Sequence, residues 1–474
     1  MKTSAVLAGT IAGAAMGTIA PKNVIFVVPD GLAPASSTIA RTYLAMAEGD
    51  STPSNPGIMP MLPVDALAIG NTFTHSANSL VTDSAAAGTA LATGHKTGNG
   101  ILGLLLDGQP VGSILESAKL HGWKTGLVVT SPISHATPAA FSSHVQDRNN
   151  FNSIAEQQIG FSHPLNQSVD VMLGGGRCNF WPNTHSDSCR EDKIDLFGFA
   201  KEQGYYVAQN RSQFDDIELG KGEIRLPILG LFNDADLHYE ADRKEQDEDV
   251  REPSLSEMTE TALNALHRAT HCKDKGYFMM IEASRIDHAS HAHDANAHLW
   301  DVLEYNKVIE IVTQWIDEHP DTAMISVADH ETGGITLPGG WDPRKLIGSK
   351  HSAPMLAEQY AAYEGDDKDA FFREEIMAPY GLGDVSDSDL AELKSGDVGA
   401  NLAEFLSARA GIKWSTGGHS GVDTTLYAYA AGEMGEQLKV DLAGAHDNTD
   451  IPKYLEEAMG LDLEEVTELL RENW

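Results

Sequence analysis

The sequence predicts an α/β protein in which one large domain of parallel strands and packed helices carries an insertion. Short apolar runs that lack the alternation of a half-exposed strand, such as Val-Ile-Phe-Val-Val over 24–28, read as strands buried on both faces. Stretches with apolar residues at helical spacing lie between them. At 474 residues the chain exceeds the commonest domain size, yet single α/β enzymes with insertions reach it, and a sizeable core is available.

The first run, 23–28, ends in Pro29-Asp30-Gly31 and so delivers Asp30 at a strand's C-terminal end. A helix is expected at 35–48 and a Pro-rich loop at 52–63. Ser84 opens an Ala-rich helix that Gly94 ends; the backbone N–H groups of its first turn favour an anion, and Asp83 stands beside it. Residues 110–122 carry a helix signature, with Pro110 at the start, Val111, Ile114, Leu115 and Ala118 on one face, and Gly122 at the end. A strand at 125–130 follows, and His135 and Thr137 stand just past it. Arg148 comes next, with the planar fork that suits a phosphate bidentately. Between 169 and 232 a strand, a helix at 194–203 and an apolar run show no obvious chemistry. The charge run 240–252 reads as a solvated loop, and 254–269 as an amphipathic helix.

The stretch 276–294 is the centre of the arrangement. An apolar strand over 277–281 presents Glu282 at its end, and Asp287 and His291, four apart, share one face of a helical turn. After a helix at 295–319, the strand 322–328 ends in Asp329-His330. Asp30, His135 with Thr137, Glu282, and Asp329 with His330 thus all fall at strand C-terminal ends, where open α/β sheets place their sites. Their oxygen and nitrogen mixture suits a divalent ion such as Zn²⁺. Residues 335–416, rich in Gly, Asp and Pro with short helices at 370–377 and 387–394, look like an insertion that separates Asp329-His330 from the glycine-flanked His419. A strand at 424–430 and helices at 450–459 and 463–471 close the chain.

Lys and Arg number 33 against 69 Asp and Glu, a net charge of −36 that argues against nucleic-acid binding and resembles the acidic surface of salt-adapted proteins. Residues 1–20 read as a secretory signal peptide, which places the protein in the periplasm or outside the cell. No later stretch is long and apolar enough to span a membrane. Cys178 and Cys189 lie in a stretch rich in Gly, Asn and Ser and are expected to form a disulfide, leaving Cys272 as an inert single thiol.

Taken together, Val28-Pro-Asp-Gly31, Val81-Thr-Asp-Ser-Ala85, His135-Ala-Thr-Pro138, Glu282 with Ile286-Asp-His-Ala-Ser-His291, Ala328-Asp-His330 and Thr416-Gly-Gly-His419 resemble the alkaline phosphatases, in the family's order and over nearly the whole chain. The resemblance implies a three-layer α/β/α sandwich around a large, mostly parallel sheet, a homodimer, and metal-dependent hydrolysis of phosphate monoesters at alkaline pH. Two Zn²⁺ and one Mg²⁺ per subunit are implied. By resemblance, Asp287, His291 and His419 hold the first zinc, and Asp30, Ser84, Asp329 and His330 the second. Asp30, Thr137 and Glu282 correspond to the magnesium ligands. Ser84 is then the nucleophile, Arg148 the phosphate clamp and Asp83 the residue that orients it. Pro29 stands where a glycine is commoner, and His135 and His288 stand behind the third ion where some members carry an Asp and a Lys. The insertion at 335–416 corresponds to the crown by which members build dimers.

Three other readings compete. A sulfatase needs a Cys or Ser in a Cys/Ser-x-Pro-x-Arg frame, which Ser84-Ala-Ala-Ala-Gly88 lacks. A phosphodiesterase ordinarily lacks Arg148 and the third metal site. A structural metal-binding protein has no need of Ser84 at a helix N-terminus.

Overall fold

The computed structural model describes residues 20–47, 49 and 51–474; the leader expected at 1–20 lies outside them but for Ala20. Among the described residues twelve strands are formed: β1 (Asn23–Val28), β2 (Ala68–Phe73), β3 (Lys124–Pro132), β4 (Val171–Gly175), β5 (Tyr206–Ala208), β6 (Ile228–Leu231), β7 (Tyr277–Glu282), β8 (Thr322–Val327), β9 (Glu331–Thr332), β10 (His419–Ser420), β11 (Thr424–Ala430) and β12 (Gly444–Asp447). Ten of them make one sheet in the order β12-β2-β11-β8-β1-β7-β3-β4-β6-β5, and β9 and β10 pair as a separate ribbon. Within the sheet only β11 runs against its neighbours.

Every residue of β1, β7 and β8 is buried, as the unbroken apolar runs require of strands covered on both faces. Alternation then sends Ile25, Val27, Met279 and Ile281 to one side, where they meet Leu263 and Leu266 of helix Leu255–Thr270 and Leu299 and Val302 of helix Ala295–Glu318. Val24, Phe26, Val28, Phe278 and Met280 face the other side, against Leu91, Leu115 and Leu455 from helices Ser84–Thr93, Ile114–Leu120 and Asp450–Met459. The result is a three-layer α/β/α architecture. Among the described residues, no helix is long and apolar enough to cross a membrane.

Several local expectations are corrected. The helix expected from 110 begins only at Ile114, because Ser113 and Glu116 form a reciprocal capping box that outcompetes Pro110 as the start signal. The run 240–252 is a solvated loop only in its middle, where 245 and 247–250 are exposed: Glu240–Arg243 is a buried helical turn in which Arg243 donates to both Glu240 oxygens, and Glu252 is buried beside it. Opposite charges within three residues satisfied one another and could be taken inside. Strands β2 and β12 and helix Gly432–Asp441 went unanticipated, since Ala68–Phe73 is mostly exposed and Gly444–Asp447 contains no strongly strand-forming residue.

Residues 335–416 fold on the same core. Helices Ala353–Ala362 and Val398–Ala410, also unanticipated, bury Leu356, Leu402 and Leu406 in the cluster that contains helix Ala295–Glu318. Asp294 caps that helix through Asn296 and Ala297 N–H and also accepts from Ala353 N–H at 2.6 Å and the Tyr380 hydroxyl at 2.9 Å. Cys178 and Cys189 are disulfide-bonded, and Cys272 is exposed and free. Replacing Asp294 with Ala removes a cap and orphans two buried donors, so Asp294→Ala should cost about 2–4 kcal/mol and let protease attack 335–416 first. An unchanged melt and digestion pattern would assign the attachment of this segment elsewhere.

Candidate active site

The C-terminal ends of the parallel strands converge on one edge, and the antiparallel course of β11 brings the chain before it, with His419, to that same edge. Asp30 follows β1, Glu282 ends β7, and Asp329 and His330 follow β8. Gly31 turns the chain at φ +74°, and a Cβ there would lie 2.8 Å from Asp287 Cα, so only glycine lets Asp30 sit this close to helix Arg285–His291. The ribbon registers His419 opposite Thr332, two residues past His330. The His330 and His419 rings consequently stack with centroids 3.5 Å apart.

Two donor sets form around these contacts: Asp30, Asp329 and His330, and Asp287, His330 and His419, with the ligating atoms of each set within 4.8 Å of one another. His291 joins the second set, its Nε2 3.3 Å from Asp287 Oδ2 and 3.2 Å from His419 Nε2. The Nδ1 atoms of His291 and His419 donate to the carbonyls of Gly417 and Thr82 at 2.8 and 2.7 Å, which turns each Nε2 toward the site as the atom that would ligate a cation; in the cation's place, His291 Nε2 donates to Asp287. Ser84 Oγ lies 3.1 Å from His330 Nε2. Asp83 precedes Ser84 as helix cap, accepting from Ala86 N–H.

Burial and charge test whether cations fit here. Both Asp30 oxygens, one oxygen each of Glu282 and Asp329, and the Thr137 hydroxyl are buried without a hydrogen-bond partner. Burial together with the Asp329, Asp287 and Glu282 charges pushes the Asp30 carboxyl well above its ordinary range. Burial likewise lifts Glu282 to about 7 and Asp329 to about 6. Orphaned, mutually repelling carboxylates beside imidazoles whose Nε2 atoms face them are a cation's donor set, and the residues present fit one.

Arg148 enters from the side. Its Nη1 donates to Asp83 Oδ2 at 3.1 Å and its Nη2 to His135 Nε2 at 3.2 Å. Burial, then the Arg148 and His288 charges, push His135 down to about 3, so it is the neutral acceptor this contact requires. The His135 and His288 rings meet edge to face at 5.4 Å.

All the predicted site residues gather here, while two partners were missed. Asp236, beyond β6, receives Arg285 at 2.8 Å and lies 3.5 Å from His288, and Arg285 Nη1 is 3.0 Å from His288 Nδ1. The segment after β6 had shown no chemistry; its signal, an acidic residue just past a buried strand, was the one already used for Asp30.

With the cations chelated, Glu282 and Asp329 hold their protons to about 7 and about 6, against ordinary values of 4.5 and 3.8. A carboxyl raised in the folded state contributes stability below its unfolded pKa and loses it as pH rises through the folded one. The melting temperature of chelated protein should therefore fall behind that of metal-loaded protein increasingly from about pH 4 to about pH 7. A gap that stays flat over this window would show that these carboxyls do not exchange a proton for a cation.

A family model described as alkaline phosphatase matches residues 21–461. The chain is 38% identical to the repressible alkaline phosphatase of Saccharomyces cerevisiae, over 95% of its own length and 83% of that protein's. It is 32% identical to alkaline phosphatase 3 of Bacillus subtilis, over 92% and 89%. Its fold matches the crystal structure of Thermus thermophilus alkaline phosphatase with a TM-score of 0.78 at 29% identity, covering 98% of this chain and all of that one, 100%. With the metal-donor sets, the serine at the helix N-terminus and the arginine beside it on one sheet edge, the chain belongs to the alkaline phosphatase family and is a metal-dependent phosphomonoester hydrolase.

Proposed function

We propose that hydrolysis proceeds through a phosphoserine at Ser84, in a site holding two Zn²⁺ and one Mg²⁺ per subunit. The observation that carries this reading is Ser84 Oγ, buried at a helix N-terminus, 3.1 Å from His330 Nε2, with Arg148 tethered through Asp83 alongside. Asp287, His291 and His419 would hold one zinc; Asp30, Ser84, Asp329 and His330 the other; Asp30, Thr137 and Glu282 the magnesium. Such cations, when bound, lower the pKa of a hydroxyl or water and neutralise charge on a phosphoryl group.

The chain's own residues do the rest. Ser84 Oγ forms a bond to phosphorus while the ester oxygen leaves as the alcohol. Arg148 holds the phosphoryl oxygens, its remaining N–H groups free because Asp83 and His135 fix two edges of the guanidinium. Backbone N–H groups at the start of helix Ser84–Thr93 add positive dipole where charge accumulates. Water then cleaves the phosphoserine, returning the Ser84 hydroxyl and releasing inorganic phosphate. His135, neutral as it is, adds no charge behind the third cation.

Assays on p-nitrophenyl phosphate, bis-p-nitrophenyl phosphate and p-nitrophenyl sulfate, with and without chelator, test the reading. The monoester alone should turn over quickly, and chelation should stop it. Ser84→Ala should remove nearly all turnover with metal content intact, whereas Arg148→Ala should weaken phosphate binding and slow turnover by about 10²-fold without abolishing it. Labelling of a phosphoserine elsewhere in the chain would sink the assignment.

The segment 335–416 is proposed as a crown that covers the site and contributes to a homodimer interface, because it leaves and rejoins the chain between His330 and His419. Light scattering of a variant lacking it should report a monomer; a shortened dimer of full activity would refute this role. A periplasmic or secreted location agrees with the Cys178–Cys189 disulfide, and the charge of −36 with saline surroundings. N-terminal sequencing of the exported protein should start near residue 20, and an intact Met1 would argue against export through a cleaved leader.

A further inference from the structure

Away from the reacting groups, Glu116, His144 and His163 form a buried cluster whose side chains are at most 1% exposed. Glu116 Oε1 accepts from His144 Nε2 at 2.9 Å and from His163 Nε2 at 2.8 Å, and Oε2 accepts from Ser113 N–H at 2.8 Å. On their far sides the two imidazoles differ. His163 Nδ1 accepts from Leu165 N–H at 3.0 Å, so its hydrogen must sit on Nε2. His144 Nδ1 faces the Gly103 carbonyl at 2.8 Å, an acceptor only, so His144 carries hydrogen on both nitrogens. The three donor atoms converge within 4.8 Å, yet His163 has no lone pair to offer a cation there. The cluster is a buried imidazolium–carboxylate pair braced by a neutral imidazole. Burial alone would raise Glu116 and lower His144; the His144 and His163 contacts reverse the first, and the Glu116 charge and hydrogen bond reverse the second.

What this pair holds is the loop that carries Arg148. His144 lies four residues before Arg148, and Gly103, its carbonyl partner, lies three after Gly100. The two segments are stitched by reciprocal Leu102–Val145 backbone bonds at 2.9 Å and by Arg148 N–H to the Gly100 carbonyl at 2.8 Å. Gly100 N–H in turn donates to Asp83 Oδ2 at 2.9 Å, the same oxygen that receives Arg148 Nη1, and Gly103 N–H donates to Thr89 in the Ser84 helix at 3.0 Å. There is no slack in the joint, since a Cβ on Gly103 would lie 2.5 Å from His144 Nδ1.

We propose that Glu116, His144 and His163 are positioning residues for phosphate recognition, fixing the Arg148 guanidinium relative to Ser84 through Gly103 and the paired segments 100–104 and 144–148. This rests on the reading of Arg148 as the phosphate clamp. A double-mutant cycle on the metal-loaded enzyme tests it, with the inhibition constant of inorganic phosphate and kcat/KM for p-nitrophenyl phosphate as readouts and metal content as control. Glu116→Gln in the wild-type background should weaken phosphate inhibition and lower kcat/KM by about 5- to 10-fold, with metal content unchanged. In the Arg148→Ala background the same substitution should change neither constant further. His163→Asn, which keeps a donor toward Glu116, is carried through the same cycle and should show a smaller shift that also vanishes without Arg148, so the outcome does not hang on one variant folding. Equal effects in both backgrounds, or none in either, overturn the positioning role while leaving the clamp intact. If Arg148→Ala itself leaves phosphate inhibition unmoved, the clamp reading fails and the proposal falls with it.

Discussion

Burying Asp30, Glu282, Asp287 and Asp329 together is the constraint on which the rest of this structure depends. Taken out of water, these like charges repel and cannot all remain ionised without cations. Asp287 escapes the general rise: burial pushes it up, but the His291 hydrogen bond and charge hold it well below the usual range. The set is therefore polarised, with imidazoles gathered at one end and unpartnered carboxyl oxygens at the other. That polarity follows from topology. Parallel β1, β7 and β8 deliver oxygens from adjacent strand ends, and reversal of β11 feeds His419 in from the opposite direction.

A second constraint explains the composition of the nucleophile's helix. Ser84–Thr93 is buried along its whole length and has no polar face, so its alanines are not the filler of a solvent-exposed helix. A Cβ on Gly88 would lie 3.1 Å from the Ala140 methyl and 3.4 Å from Thr137 Cα. Small residues let this helix approach Ala136–Ala140, which carries Thr137, and so bring the nucleophile and the third donor set onto one rigid unit. Backbone packing thus sets the positions from which the Ser84 and Thr137 side chains enter the site.

Much of this was legible because the chemistry sits on the most strongly patterned elements. Runs such as 24–28 and 277–281 can only be doubly covered strands, and whatever follows them must lie at the sheet edge. Asp30, Glu282, Asp329 and His330 were found that way; His419 reads as a glycine-flanked histidine positioned to approach a metal, but grouping it with Asp287 and His291 required the family resemblance, because a two-residue ribbon has no sequence signature. Charges that neutralise one another in three dimensions were the least legible. The first turn of the run 240–252 looked solvated until Arg243 met Glu240, and Asp236 had no visible purpose until Arg285 and His288 were folded against it. Periodicity registers hydrophobic faces; it carries no information about which buried charge answers which.

The side of the site that faces substrate shows the same logic of compensated charge. Arg148 is partly exposed and shares itself between an anionic partner, Asp83, and a neutral one, His135. Had His135 been charged, it would have repelled the guanidinium at 3.2 Å; burial and the arginine itself keep it neutral. Asp236, in turn, is pushed up by burial but held below the usual carboxylate range by the Arg285 charge and hydrogen bond. Charge is therefore compensated outward from the phosphate position, by Asp83 on one side and, beyond the uncharged His135, by the Asp236–Arg285 pair on the other. An arginine anchored to one carboxylate and one uncharged imidazole keeps its positive charge incompletely neutralised, and that residual charge is what a doubly charged phosphoryl group meets on entering.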